Sequence, residues 1–431
     1  MVRQNRYSNI VIVVSLAMLS LLTLNACGKK EVVEETTEAV ETLPPETEPA
    51  IPLSQTPAET IENRTLPEAS EDALGFVLKA WKVAKENNQS MIPLYLMEDT
   101  FSPLRKAANT ASGSREELTA ALGYDNTRNT DYYSSRNYPE NFKTYIKVFL
   151  DKSVEKAVDI SLIGSANVEY LDKGVKSLAN IDKQISEAIG VEGYNQLEGE
   201  GVINPEETGF VTVTASNYSL YGFNYAFIDD KYDGFKTYVT PEAFKEVTEN
   251  VDLVKLTYET GENLYLYTNR FGTQGDYVKE YVNSLTADYL KEDLDFSKAQ
   301  YSSEYNGAEV ICPDITAYVS DAHYEKFLNK LGIKQLYASN NKDFDALIND
   351  AEAVPDLHAL QSLVDVRLHI TSGDLATITN NLPVDNIKKT KKIEADKNSV
   401  YILTDSTGEI LFMGQIDPDY TIPEAVEEDS K

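Results

Sequence analysis

Apolar residues recur at helical spacing in several parts of the chain. In the first such segment Ala73, Val77, Trp81 and Ala84 share one face, because positions three and four apart lie on the same side of a helix. Stripes and capping signals of this kind predict helices that begin near Ala73, Ser114, Leu178, Thr240, Val278 and Ser320. Three of these segments end at a glycine, the residue that most readily closes a helix, namely Gly123, Gly190 and Gly332.

Runs of aromatic and β-branched residues predict strands between these helices. The runs cover 144–150, 209–214 and 221–227. Two further pairs of runs predict hairpins, 253–258 with 264–268 and 400–404 with 410–413. Because strands come in hairpins and helices in clusters, we predict an α+β fold of helices and antiparallel hairpins in two to three domains. A two-lobed α/β solute-binding fold is the alternative.

The two predicted hairpins share a turn sequence, T-x-x-T-G-E, at Thr257–Glu262 and at Thr404–Glu409. The glycine supplies the positive φ that such a turn needs. A domain duplication would explain the repeat, and so would two hairpins that found the same turn chemistry. The flanking sequences do not match, which favours chance recurrence.

The N-terminus has the pattern of an export signal. Arg3 and Arg6 precede an uncharged apolar stretch over 10–24, which is about as long as a signal-peptide core and short for a membrane-spanning helix. The stretch ends in Leu24-Asn25-Ala26-Cys27, which resembles the lipobox of bacterial lipoproteins. The resemblance implies cleavage before Cys27 and a diacylglycerol on its sulfur, which would anchor the chain at the extracytoplasmic face of the cell membrane. An ordinary signal peptide or an uncleaved anchor are the alternatives.

Composition suggests the remaining boundaries. After a signal peptide at 1–26, residues 27–72 are rich in proline and acidic residues and hold no aromatic residue, which predicts a disordered tether behind the lipidated cysteine. The remaining residues, from 73 to about 418, are more than a single hydrophobic core usually accommodates. We predict a mainly helical or mixed domain at 73–200, α+β domains at 201–300 and 301–418, and an acidic tail at 419–431.

The charge of the chain excludes one class of function. Its 431 residues include 39 Lys and Arg against 70 Asp and Glu, so the formal net charge is −31. A broad basic face for nucleic acid is therefore excluded, because phosphate would be repelled. Two cysteines also exclude a disulfide scaffold.

Catalytic signatures are missing from the sequence. Its three histidines, His323, His358 and His369, lack the paired spacing of a zinc protease. Carboxylates are so abundant that no particular pair marks a hydrolase site. We therefore predict no catalytic residue, no cofactor and no metal site, and expect a binding protein rather than an enzyme.

Tyrosine is the most distinctive feature of the composition, with 27 copies against one tryptophan. Its rigid ring and polar tip suit the binding of sugars, peptides or proteins. The candidate ligand contacts are Tyr132, Tyr133, Tyr138, Tyr265 and Tyr267. We expect non-enzymatic binding of envelope glycan, peptide or a partner protein. The alternatives are a solute-binding lipoprotein of a transporter and a cell-wall hydrolase.

Overall fold

The structure is a computed structural model that describes residues 73–122, 141–164, 167–172, 175–192, 194, 209–221, 226–228, 233–258, 260–270, 275–298, 305–321, 323–354, 356–371 and 390–419. Its α-helices are α1 (Ala73–Glu86), α2 (Leu94–Ala107), α3 (Gly113–Leu122), α4 (Val175–Ile189), α5 (Tyr277–Ser284), α6 (Ala287–Leu294) and α7 (Glu325–Leu331). None of the described helices is long and apolar enough to cross a membrane.

Three β-sheets organise these residues. The strands are β1 (Met91–Ile92), β2 (Phe142–Asp151), β3 (Val168–Leu171), β4 (Phe210–Tyr221), β5 (Ala226–Ile228), β6 (Asp233–Val239), β7 (Phe244–Glu246), β8 (Val251–Thr257), β9 (Asn263–Asn269), β10 (Gly307–Pro313), β11 (Ile315–Asp321), β12 (Ala359–Thr371), β13 (Thr390–Glu394), β14 (Val400–Thr404) and β15 (Ile410–Gln415).

The six-stranded sheet has the order β1-β15-β14-β9-β8-β7, and every neighbouring pair is antiparallel. It contains both predicted hairpins, β8 with β9 and β14 with β15. Its central strand β14 is buried along its whole length. The two hairpins lie side by side through β9 and β14, so both T-x-x-T-G-E turns come to the same end of the sheet.

The five-stranded sheet has the order β11-β12-β4-β2-β3. Its centre is a long parallel pair, β4 with β12, and each of these strands has an antiparallel neighbour on its other side. One face of the sheet packs against the main core and the other carries α4. The four-stranded sheet, β13-β10-β6-β5, has β13 at one edge, where it pairs in parallel with β10.

This topology shows that the predicted α+β fold of separate helix-and-hairpin domains is wrong, and so is the two-lobed α/β alternative. The five-stranded sheet takes β2 and β3, β4, and β11 and β12 from three distant parts of the chain. The ranges 73–200, 201–300 and 301–418 therefore all supply strands to one sheet. Local periodicity detects strands but not their long-range pairing, so sequence-near hairpins dominated the prediction.

Several element boundaries also differ from the prediction. The helix expected at Thr240 is a single 3₁₀ turn, because β7 follows at once and pairs with β8. The helix expected from Val278 is two helices, since the Thr286 hydroxyl caps a second one by accepting from Tyr289 N–H. The helix expected at Ser320 begins at Glu325, because β11 runs on through Asp321.

Candidate functional site

The parallel contact between β4 and β12 is the most unusual feature of the fold, and we call it the seam. Its register runs from Phe210 opposite Ala359 to Tyr221 opposite Thr371, with one irregularity near the start. The two strands are far apart in sequence, and no hairpin joins them. Parallel pairing is slightly weaker per residue than antiparallel pairing, so the seam is bounded by better-bonded neighbours on both sides.

The core-facing side of the seam is lined by hydroxyl groups. The Thr212 and Ser362 hydroxyls lie 2.6 Å apart across the two strands, and Ser362 Oγ is also 2.5 Å from the Tyr337 hydroxyl. Thr214 bonds Thr100 of α2 at 2.6 Å. A hydroxyl both donates and accepts, so each of these buried groups can serve as donor or acceptor to its partner.

The opposite side of the seam carries apolar residues that pack against α4, and the buried Asp365 lies on the same side. Val213 of β4 and Leu363 of β12 face one another in register and pack with Ile185, which is fully buried. The helix thus shields the seam from water on that side, while hydroxyl pairs line it on the other.

Asp365 is a charged group buried beside the seam, with no exposed surface. Its carboxylate accepts from the Tyr318 hydroxyl at 2.8 Å and from Arg367 Nε at 3.3 Å. Burial raises the pKa of Asp365, and the guanidinium of Arg367 opposes that shift only in part. Since Tyr318 belongs to β11, this contact ties β12 to its outer neighbour.

Residues at the start of α7 hold the beginning of β12 on the same edge as β11 does. Tyr324 N–H donates to Ser362 O at 3.0 Å, and Ser362 N–H donates to Glu325 Oε2 at 3.4 Å. These bonds continue the pairing beyond the end of β11, so β12 is fixed on its outer edge along most of its length. The seam is therefore the edge of β12 that these contacts leave to its pairing with β4 alone.

The far end of β4 is tied to the six-stranded sheet by Tyr218. Its ring stacks on Phe142 with centroids 4.4 Å apart, and its hydroxyl donates to Glu262 Oε1 at 3.0 Å. Burial, and then the Glu262 carboxylate, raise the pKa of Tyr218. Glu262 closes the first T-x-x-T-G-E turn, which lies against the second so closely that a Cβ at Gly261 would be 2.8 Å from Ser406 Cβ.

The fold was compared with known proteins. No protein-family model and no curated protein sequence matches the chain. Solved structures do match. Native protease nexin-1 with heparin aligns with a TM-score of 0.62 at 13% identity, over 80% of this chain and 98% of that one. Manduca sexta serine protease inhibitor (serpin)-12 aligns at 0.59 and 16% identity, over 81% and 98%. The chain has a serpin fold.

A third match is tengpin, a thermophilic serpin in its native state, with a TM-score of 0.58 and 12% identity over 80% of this chain and 93% of that one. The structural similarity establishes the serpin fold. At identities this low, the activity has to be argued from the chain's own residues.

The structure describes two of the five tyrosines that the sequence analysis named as candidate ligand contacts. Tyr132, Tyr133 and Tyr138 lie outside the described residues, as does Cys27. Tyr265 and Tyr267 lie on one face of β9 and are 5% and 0% exposed. Their hydroxyls donate to Leu294 O at 3.5 Å and Asp293 Oδ2 at 3.0 Å, so these two rings fill the space between β9 and the α6 region. Ligand contact by these residues stays a prediction.

The described histidines do not come together within the serpin fold. His323 contacts Glu325 at 3.1 Å, and His358 contacts Asp356 at 3.0 Å. His369 lies on β12, where burial lowers its pKa. Among the described residues no group of three or more His, Cys, Asp or Glu side chains is placed to hold a metal ion.

Sequence reasoning missed the seam residues Thr212 and Ser362. Their strands are buried on both faces, as parallel strands usually are, and hydroxyl residues inside such strands carry no local motif. Only the pairing of two distant strands gives them a role.

Proposed function

We propose that this chain is an extracytoplasmic protein that binds and inhibits proteases. The observation that carries the proposal is the seam, together with the fact that β12 leads directly into residues 372–389, which end at β13. The comparison structures include a protein described as a serine protease inhibitor. The proposal narrows the expected binding of glycan, peptide or protein to a protein partner.

Strand direction explains why the seam suits this function. A chain that leaves the end of β12 and turns back runs antiparallel to β12, and therefore antiparallel to β4 as well. Placed between them, it would replace one parallel ladder by two antiparallel ladders, which are the stronger kind. Serpins insert their reactive loop into a β-sheet in this manner.

The sequence after β12 is compatible with such a strand. Residues 375–379 read Leu-Ala-Thr-Ile-Thr, rich in β-branched side chains, and Pro383 follows. In this account a target protease accepts part of 372–389 as a peptide substrate. Cleavage then frees the upstream piece, still attached to β12, to pair within the seam.

The experiment is an inhibition assay on the mature chain with a panel of serine and cysteine proteases. We expect time-dependent loss of activity of at least one protease, with mass spectrometry locating the cleavage inside 372–389. Thr377→Pro removes an N–H that the inserted strand needs, so this variant should be cleaved without inhibiting. Thr377→Val, which keeps the N–H, is the control. Cleavage confined to other segments, or inhibition by both variants alike, would contradict the proposal.

Sulfated glycan is a poor candidate partner for this chain. One comparison structure contains heparin, but a net charge of −31 repels a polyanion. The observation therefore favours a protein partner.

We further propose that the protein is anchored through a diacylglycerol on Cys27, on the strength of the Leu24-Asn25-Ala26-Cys27 sequence. The inhibitor would then act at the outer side of the cell membrane. Cys27→Ala should move the protein from the membrane fraction to the soluble fraction or leave its signal peptide uncleaved. Normal processing and membrane retention of the variant would contradict the anchor.

A further inference from the structure

A partly buried ion-pair cluster joins the four-stranded sheet to the six-stranded sheet. Lys391 of β13 has a side chain only 6% exposed, and its Nζ lies 2.6 Å from Asp252 Oδ1 of β8 and 2.7 Å from Glu246 Oε1 of β7. Arg270 also binds Glu246. One lysine therefore bridges two strands of a sheet to which its own strand does not belong.

The carboxylates of this cluster depend on the lysine. Asp252 is 1% exposed, and burial raises its pKa although the hydrogen bond from Lys391 opposes the shift. For Glu246 the charges of Lys391 and Arg270 outweigh its burial, and its pKa lies below the ordinary value. Removing the Lys391 ammonium would leave Asp252 buried without that cation, which is strongly unfavourable.

Besides this cluster, β13 is held by its ladder with β10 and by one core side chain. The strand has five residues, pairs in parallel with β10, and in the described part of the chain no strand pairs with its outer edge. Ile393 is its one buried apolar side chain. Lys392 points to the surface and pairs with Glu394 of the same strand at 3.0 Å. The contact of Lys391 with β7 and β8 is therefore the charged link between β13 and the six-stranded sheet, alongside the burial of Ile393 in the core.

We propose that Lys391, Asp252 and Glu246 form a clasp that retains β13 in the four-stranded sheet, and that breaking the clasp releases this strand while the six-stranded sheet stays folded. Lys391 acts as a positioning residue. The clasp fixes the chain where residues 372–389 end, so that movement during inhibition takes place at the seam. This last step rests on the proposed function, whereas strand retention does not.

Hydrogen exchange of the mature chain without protease tests strand retention directly. In Lys391→Met we expect amides of 390–394 to exchange at least about 100-fold faster than in the wild type, because a broken buried ion pair promotes local opening. Amides of β14 should change less than about threefold. Lys392→Met is the matched control on the same strand and should leave 390–394 within about threefold of the wild type.

A second variant keeps the outcome decisive if Lys391→Met does not fold. In Lys391→Met combined with Asp252→Asn, the isolated buried charge is removed but the link is still absent, so fast exchange of 390–394 should persist in a folded protein. Unchanged exchange of 390–394 in both variants would overturn the clasp. So would equal acceleration of β13 and β14, which would make Lys391 a general core contact. Because no protease is present, failure of the clasp and failure of the inhibitory function are distinguishable.

Discussion

The six-stranded and five-stranded sheets differ in the direction of their strands and in how far apart in the sequence their paired strands lie. The six-stranded sheet is antiparallel throughout and is built around two hairpins, with apolar side chains along its central strand β14. The five-stranded sheet is centred on a parallel pair from distant parts of the chain, with hydroxyl groups on one side of the junction. The first arrangement gives an apolar core, whereas the second gives a junction held by a parallel ladder and by hydroxyl hydrogen bonds.

The two sheets also differ in the kind of side chain that they bury at their centres. Ile402 and Leu403 of β14 are fully buried aliphatic residues whose loss creates a cavity. Thr212 and Ser362 at the seam are equally buried, but their contacts are hydrogen bonds that other groups can replace. The comparison predicts that substitutions in the six-stranded sheet lower global stability most, and that substitutions at the seam act locally.

The largest effect is expected at the centre of the six-stranded sheet. Leu403→Ala should lower the free energy of unfolding by about 2–5 kcal/mol, because neighbours around a fully buried leucine close the cavity only in part. Denaturant titration measures the loss. Leu162→Ala, at a side chain that is 39% exposed, is the control and should stay within about 0.5 kcal/mol of the wild type. A loss below about 1 kcal/mol for Leu403→Ala would contradict the prediction that substitutions in the six-stranded sheet lower global stability most.

A smaller effect is expected at the seam. Thr212→Val keeps the shape of the side chain and removes one hydroxyl, so it should cost about 1 kcal/mol while Ser362 keeps its bond to Tyr337. Hydrogen exchange should show the loss of protection in β4 and β12 and not in β14. Thr257→Val, at an exposed position of β8, is the matched control; it removes a solvent-exposed hydrogen bond to Asn263 Oδ1 and should stay within about 0.5 kcal/mol of the wild type. A uniform loss of protection over both sheets would argue against a separable seam.

The smallest effect is a pH dependence that originates at Asp365. Because burial raises its pKa, the folded protein holds this proton more strongly than the unfolded chain does. That contribution to stability is present at low pH and is lost as pH rises through the raised value. Relative to Asp365→Asn, the wild type should therefore gain stability as pH falls from 7 towards 4.5, as followed by denaturant midpoints. An equal pH dependence of the two proteins would show that Asp365 is not the source.

Local sequence patterns predicted the six-stranded sheet far better than the five-stranded one. Both hairpins were correct, because alternation and the Gly261 and Gly408 turns lie within a few residues of each strand. The run at 209–214 continues as β4 to Tyr221, and its partner β12 lies more than a hundred residues away. Nothing in the sequence of either strand identifies the other.

The same limit applies to the sites. Lys391, Asp252 and Glu246 look like ordinary surface charges in a chain with 109 charged residues of the four types, since only the fold brings them together and buries Lys391 and Asp252. Tyr265 and Tyr267 were selected for their chemistry, and the fold buries both of them against α6 and its neighbours. Composition identifies suitable side chains, whereas exposure depends on tertiary contacts.

The most direct test of the central claim is hydrogen exchange at residues 375–379 of the protein, before and after a protease cleaves within 372–389. If the freed strand enters the seam, these amides should become protected after cleavage to the level of β4 and β12, and the denaturation midpoint should rise. If cleavage changes neither the exchange of 375–379 nor the midpoint, the seam does not accept a strand and the proposed function is wrong.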